Sequence, residues 1–549
     1  MQPSVQTSSA SGLVRDTSSG RVAGFVDKNN THAWFGIPYA APPVGPLRWK
    51  APRPAIPWAG VFEAKKFGER SVQYGGMACG AHRSQWGKII GSEDCLTLNV
   101  FAPPDKQNCP VMFWIHGGGN SAGSVNPYFT LRNLAAQDGV VVVSLNYRLG
   151  VLGWLYLPEL HDADSTDEDR SGNYGTLDLI AGLKWVRENI ASFGGDPENV
   201  TIFGESAGGQ NVLSLLVSPL AKGLFHKAIA QSPVPEICTL VEAATDSREL
   251  LAKWNAASGD LRGKSPQELI RALVPIAAGI YATQRLFRDG KVLPKCSLLE
   301  ALSDANGWNR VPVILGANRD EFKLFNAQNP DYVWRLPAQI PIVKNRRIYE
   351  RDSAFMSRVW VIRGTHEVAA AMTASGHKDV WVYRFDWDEL PQVPLIRPDK
   401  TFGAAHAIEI AFVFRDVDGE VDFFRMATAR FRPGRQYVSD AMAGHWVSLA
   451  RSGNPAAGWD RRGESRVLVF DSQEGGGVRM EDDVQTMAQL KTWLRSSRDF
   501  TPRERIQMYA RMFVLSIFHD RGNRPEYEEW AREAGVSEGP EAFRTGREL

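Results

Sequence analysis

Thr201-Ile202-Phe203-Gly204-Glu205-Ser206-Ala207-Gly208 is an apolar run that ends in a serine between two glycines. With Asn199-Val200 before it, the run reads as a strand, and the stretch from Gln210 to Val217 has helical composition. A serine on a sharp strand-to-helix turn is exposed near the helix N-terminus, and flanking glycines let the chain turn without a Cβ clash. A five-residue GxSxG pattern alone arises by chance. Here the strand that enters and the amphipathic stretch that leaves supply the context a nucleophile requires.

Outward from this turn, Val111-Met112-Phe113-Trp114-Ile115 and Val140-Val141-Val142-Val143-Ser144-Leu145 are continuous and rich in β-branched residues, as in strands buried on both faces of a parallel sheet. Leu177, Ile180, Leu183, Lys184 and Val186 recur at helical spacing. Strand and helix alternate, which predicts an α/β architecture. Residues 311–316 and 380–385 read as further core strands. The stretches of roughly 240–300 and 325–400 are more helical and more polar. From about Thr501 the chain turns strongly charged, with a helical stretch around 506–518. The expected organisation is one α/β domain over residues 1–500 with those two helical insertions, then a helical extension over 501–549.

His116-Gly117-Gly118-Gly119 follows the 111–115 run directly. Glycines after a buried strand leave backbone N–H groups free to face a pocket, the oxyanion-hole loop type of lipases and esterases. The candidate donors are the N–H groups of Gly118, Gly119 and Ala207. Losing a comparable donor costs on the order of 10²–10³ in turnover.

Bulk properties narrow the alternatives. The 63 basic and 62 acidic residues give a net charge of +1, without the basic excess that nucleic-acid binding needs. Five cysteines without a CxxC suit neither a disulfide scaffold nor a zinc site, and the odd count leaves at least one thiol unpaired within the monomer. The N-terminal MQPSVQTSSASG shows no basic stretch followed by an apolar run, and no apolar stretch approaches a membrane span of about 18 residues. A cytoplasmic location is expected, with secretion after signal removal left open. The acidic stretch around Asp162, Asp164 and Thr166 lacks the glycine of an EF-hand loop and reads as a solvated loop. No metal or cofactor is expected, and monomer or homo-oligomer is left open.

Several segments together resemble the type-B carboxylesterases of the α/β-hydrolase fold, the family that includes the cholinesterases. They are Phe35-Gly36-Ile37-Pro38-Tyr39-Ala40, Ser92-Glu93-Asp94-Cys95-Leu96-Thr97-Leu98-Asn99, Asn146-Tyr147-Arg148-Leu149-Gly150, and Gly172-Asn173-Tyr174-Gly175 through Phe193-Gly194-Gly195-Asp196-Pro197 to the turn. The likeness runs from about Val14 to Phe500. It implies a large, mostly parallel sheet flanked by helices, with helical insertions covering an active-site gorge. It also implies hydrolysis of carboxylic esters through an acyl-enzyme on Ser206, over a broad range of short to medium acyl esters.

The resemblance further implies the partners of Ser206. Gly316-Ala317-Asn318-Arg319-Asp320-Glu321 matches the family's acid segment, which makes Glu321 the acid. Gly403-Ala404-Ala405-His406 matches the base segment, followed by Glu409. The order nucleophile, acid, histidine is that of α/β-hydrolases. His406, with an ordinary pKa near 6.5, must be neutral to accept the serine proton. Glu205 resembles a family glutamate that faces the active site, and Trp86 stands roughly where cholinesterases hold a quaternary ammonium. Both, with Asn120, are the expected pocket residues.

Departures from the family pattern are specific. Ser71 stands where a cysteine commonly pairs with the one corresponding to Cys95, leaving Cys79 as an alternative partner. Asn120 replaces a common aromatic after the oxyanion glycines, which alters the acyl side of the pocket. Ser232-Pro233 replaces a serine-glycine pair and stiffens the backbone. A non-catalytic scaffold role is disfavoured because all three triad candidates are present. An SxxK reading at Ser375–Lys378 stands in a polar stretch without any supporting motif.

Overall fold

The computed structural model describes residues 13–255, 258–273, 275–277, 280–281, 286–336, 340–392, 397–420, 428–461, 466–514 and 523–543. At its centre lies an 11-stranded sheet. From edge to edge its strands are Phe25–Val26, His32–Pro38, Thr97–Ala102, Val141–Leu145, Cys109–Ile115, Gly195–Glu205, Lys227–Gln231, Val313–Asn318, Val380–Phe385, Arg466–Phe470 and Arg479–Asp482. Pairing is parallel from Val141–Leu145 through Arg466–Phe470 and antiparallel at both flanks.

Side-chain alternation divides the core. Val111, Phe113 and Ile115 pack on one face with Leu177, Leu179, Ile180 and Leu183 of the helix Tyr174–Asn189. Met112 and Trp114 pack on the other with Val438, Met442, Ala443 and Trp446 of the helix Arg432–Ser452. A strand buried on both faces must be apolar at every position, which is why these runs do not alternate with polar residues.

The expected strands at 111–115, 199–203 and 380–385 lie in the sheet, and the one expected at 140–145 begins one residue later, at Val141–Leu145. The one expected at 311–316 is shifted to Val313–Asn318. Pro312 has no N–H to give the ladder and joins it through its carbonyl, which accepts the Ala228 N–H at 3.0 Å. The 240–300 stretch carries the helices Leu240–Trp254, Pro266–Arg271 and Leu298–Ser303, and the 325–400 stretch carries Arg346–Val361 and Glu367–Ala374. The helix expected at 506–518 is Pro502–Val514, and the rest of that range lies outside the described residues.

Arg148 ties the Asn146–Gly150 segment to the helix Tyr174–Asn189 through Asp178, with contacts of 2.6 and 2.8 Å. Both side chains are almost wholly buried. Removing one partner of such a pair would strand a charge, and that penalty, more than any net attraction, holds the loop in place.

The helices Pro502–Val514 and Arg524–Glu533 share a core with the helix Arg346–Val361: Ile506, Met508, Tyr509 and Trp530 pack in one cluster with Phe355 and Trp360. Among the described residues no helix is long and apolar enough to cross a membrane.

Candidate active site

The strand order explains why distant segments meet. After Val141–Leu145 the chain crosses over Cys109–Ile115 to add Gly195–Glu205 on its other side. Such a reversal opens a crevice at the carboxyl ends of the strands. Ile115 is paired with Gly204, so the His116–Gly119 loop and Ser206 leave the sheet side by side. Gln231 pairs with both Glu205 and Gly316, which brings Ser232 and the segment before Glu321 to the same edge.

Ser206 occupies a strained backbone position, with φ 59° and ψ −122°, between its strand and the helix Ala207–Val217. Its N–H donates to the Gln231 carbonyl at 2.9 Å, and its own carbonyl accepts the Gln210 N–H at 2.9 Å. The flanking glycines are needed for packing. A Cβ on Gly208 would lie 2.1 Å from the Ile115 carbonyl oxygen, and one on Gly204 2.7 Å from the Gly208 backbone.

Beside it, Gly118, Gly119 and Asn120 have φ of 107°, 62° and 54°, a run of positive φ that glycine and asparagine adopt most readily. Among the described residues the N–H groups of Gly118 and Gly119 donate to no protein group. Ala207 opens its helix, where an N–H lacks an intrahelical acceptor. A Cβ on Gly117 would lie 3.0 Å from Ser206 Cβ and 2.9 Å from Glu205 Oε2, so glycine is the residue that lets this loop approach the turn.

His406 is buried, its ring against Trp360 and Phe325 at 4.7 and 5.4 Å between centroids. Nδ1 bonds Glu321 Oε2 at 2.5 Å. The other oxygen of Glu321 accepts the Ser232 hydroxyl at 2.5 Å and the Asn318 N–H at 2.7 Å. Nε2 lies 3.1 Å from Glu205 Oε1, outside hydrogen-bond alignment. Among the described residues no hydrogen bond joins Ser206 to the imidazole.

Three buried carboxylates surround this ring. Burial opposes a charge on His406, but Glu205, then Glu321 and Glu409, outweigh it and hold the imidazole up to about 9. The ordinary value expected from sequence is thus displaced upward. Burial pushes Glu205 up to about 8, with His406 pulling it down and the other two carboxylates raising it further. Burial and then Glu321 push Glu409 up to about 7, against the donors Asn318 and Gln231. A Glu205 that keeps its proton no longer raises His406, so the ring's state depends on its neighbour's.

The other pocket residues lie apart from this cluster. The Asn120 amide donates to Gln210 Oε1 at 3.2 Å and accepts from Asn211 Nδ2 at 2.9 Å, so its polar atoms bind the helix Ala207–Val217. Trp86 is 41% exposed, its N–H on the Ala81 carbonyl at 3.0 Å and Arg83 over its ring. Cys79 and Cys95 are both free thiols, so Cys79 does not bridge to Cys95. Sequence reasoning left Ser232, Asn318 and Glu409 without roles beside Glu321. A polar residue ending the apolar run 313–318 was the available signal for Asn318.

The sheet, its reversal and the loops at its carboxyl edge define an α/β-hydrolase. The sequence profile described as "Carboxylesterase family" matches residues 11–350. The para-nitrobenzyl esterase of Bacillus subtilis (strain 168) is 36% identical over 502 residues, covering 86% of this chain and 97% of that protein. The fumonisin B1 esterase of Sphingopyxis macrogoltabida is 35% identical over 504 residues, covering 85% and 87%. The carboxylesterase structure from Geobacillus stearothermophilus at pH 6.2 superposes with a TM-score of 0.70 at 30% identity, covering 87% of this chain and 99% of that one. The chain belongs to the carboxylesterase family and is a carboxylic ester hydrolase.

Proposed function

We propose that Ser206 is the nucleophile, His406 the general base and Glu321 the acid partner, with Gly118, Gly119 and Ala207 donating to the oxyanion. The observation that carries this reading is the buried 2.5 Å contact between His406 and Glu321 at the same sheet edge as the strained Ser206 turn.

The chemistry follows from the residues. Ser206 Oγ adds to the ester carbonyl carbon while its proton passes to His406 Nε2, which must turn from Glu205 toward the hydroxyl. The carbonyl oxygen takes the negative charge and is held by the three N–H groups. Glu321 fixes the tautomer and stabilises the imidazolium. Collapse breaks the bond to the alkoxy group, which leaves with the proton from His406. Water, deprotonated by the same ring, releases the carboxylic acid and restores Ser206. Glu205, the pocket residue that reaches the ring, tunes its charge rather than transferring the proton. Asn120 acts through the helix it holds, and we place Trp86 outside the reacting groups.

The substrates are short to medium acyl esters over a broad range, in keeping with the esterase names of the relatives. We read residues 1–500 as the hydrolase body and 501–549 as an extension packed onto it, supported by the shared core around Trp360. We read the location as cytoplasmic, in keeping with the free thiols of Cys79 and Cys95. Hydrolysis of p-nitrophenyl esters of graded chain length by the wild type and Ser206→Ala tests the mechanism: activity should vanish in the variant for every ester. Unchanged turnover, or organophosphate labelling at another residue, overturns it.

A further inference from the structure

The acid and base assigned above stand 85 positions apart in sequence, and one buried side chain touches the segments of both. Asn318 ends the strand Val313–Asn318 and is fully buried. Its backbone N–H donates to Glu321 Oε1 at 2.7 Å. Its side-chain amide donates both hydrogens the other way, to the Ala405 carbonyl at 2.7 Å and to Glu409 Oε2 at 2.6 Å. Ala405 immediately precedes His406.

The orientation of this amide follows from chemistry. Both partners are acceptors, so Nδ2 must face them. Oδ1 makes no hydrogen bond among the described residues. An unmade buried bond is costly, so the residue is placed for its donors and not for its acceptor. Glu409 is itself anchored. Gln231 Nε2 donates to its other oxygen at 3.1 Å, and Gln231 cannot flip because its Oε1 accepts the Trp446 N–H at 3.0 Å.

The base segment needs such anchoring. Gly403 and Ala407, on either side of His406, have φ of 54° and 69°, so no regular ladder holds this loop. Its other tie to the acid segment is Asp320, which exchanges two bonds with Ala404 at 3.0 and 3.1 Å.

We propose that Asn318 is a positioning residue: by gripping the Glu321 carboxylate and the carbonyl before His406 it sets the spacing of acid and base, and Glu409 holds its amide in that pose. The inference rests on the triad reading.

Steady-state kinetics on a p-nitrophenyl ester, with the full-length Asn318→Ala, Asn318→Asp and Glu321→Gln variants, test it. Asn318→Ala keeps the backbone N–H on Glu321 but releases the Ala405 carbonyl and Glu409, and kcat should fall about tenfold to a hundredfold while KM changes less than about threefold. Aspartate has the same size but puts an oxygen where both N–H donors stood. Asn318→Asp should therefore be no more active than Asn318→Ala. Wild-type turnover in Asn318→Asp overturns the proposal, because that side chain cannot donate to both the Ala405 carbonyl and Glu409. Unchanged kcat in Asn318→Ala does the same. Should Asn318→Ala not fold, the uncharged Asn318→Ser carries the comparison, since its single hydroxyl cannot donate to both the Ala405 carbonyl and Glu409, and wild-type kcat in it overturns the proposal. Full activity in Glu321→Gln would instead overturn the triad reading itself.

Discussion

The Ser232 hydroxyl and the Asn318 N–H share one oxygen of Glu321, at 2.5 and 2.7 Å, leaving the other for His406. A carboxylate held this way presents a single lone-pair direction to the imidazole. Ser232 is itself restrained: its backbone is left-handed, with φ 46°, and its carbonyl accepts the Trp360 indole N–H at 3.1 Å. Strain of this kind persists only where the surroundings impose it.

Ser232→Ala should therefore weaken turnover without abolishing it. One hydrogen bond to a carboxylate is lost, an effect of about 1.5–3 kcal/mol at most, while the Asn318 bond remains. A fall in kcat of about tenfold with little change in KM is expected from ester hydrolysis assays. A wild-type kcat would show that the Asn318 bond alone orients Glu321.

Glu205→Gln should shift the pH dependence. The charge of Glu205 is the largest single effect that raises His406. The base must be neutral, so activity rises as pH climbs through the imidazole pKa. Removing the neighbouring charge lowers that pKa, and the acid limb of kcat/KM should move down by about one pH unit. A limb that stays in place would mean that Glu205 already holds its proton in the working enzyme.

Gly208→Ala should be disabling. The added carbon meets the Ile115 carbonyl at 2.1 Å, a backbone atom that cannot move without shifting the central strand. Overpacking of this type costs about 1–3 kcal/mol or more. Thermal melts should show a lowered Tm together with lost activity. An unaltered melt would contradict the packing at the turn.

His445 should make the fold sensitive to acid. Burial pushes it down to about 4, its ring against Trp459 and Phe470. The unfolded chain binds the proton that the buried ring refuses, so this contribution is fully present above about pH 6.5 and declines as pH falls toward 4. Urea midpoints at pH 7 and pH 4.5 should differ less in His445→Phe than in the wild type. An equal difference would assign the acid sensitivity elsewhere; His116, also pushed down to about 4 by burial, is the next candidate.

Much of the fold was legible because the central strands are buried on both faces. Runs such as Val111–Ile115 carry no polar residue to obscure them, and the turn at Ser206 breaks the pattern where glycines are sterically required. The antiparallel flanks were not legible, since Phe25–Val26 and Arg479–Asp482 are short and gain their pairing only from the finished sheet. At the site, Glu321 and His406 came from a likeness of segments and not from any periodicity. Asn120 shows the limit. Its amide is bound by Gln210 and Asn211, some ninety positions away, a relation that local spacing does not encode. The role of Asn318 was hidden for the same reason.

The C-terminal helices have a practical consequence through Trp360, which rests on His406 on one side and shares its core with Ile506, Tyr509 and Trp530 on the other. A protease that cuts within these helices would loosen the packing around Trp360, which lies against the imidazole. The enzyme would then register damage to these helices as a fading reaction rate, and turnover becomes a gauge of whether they are intact.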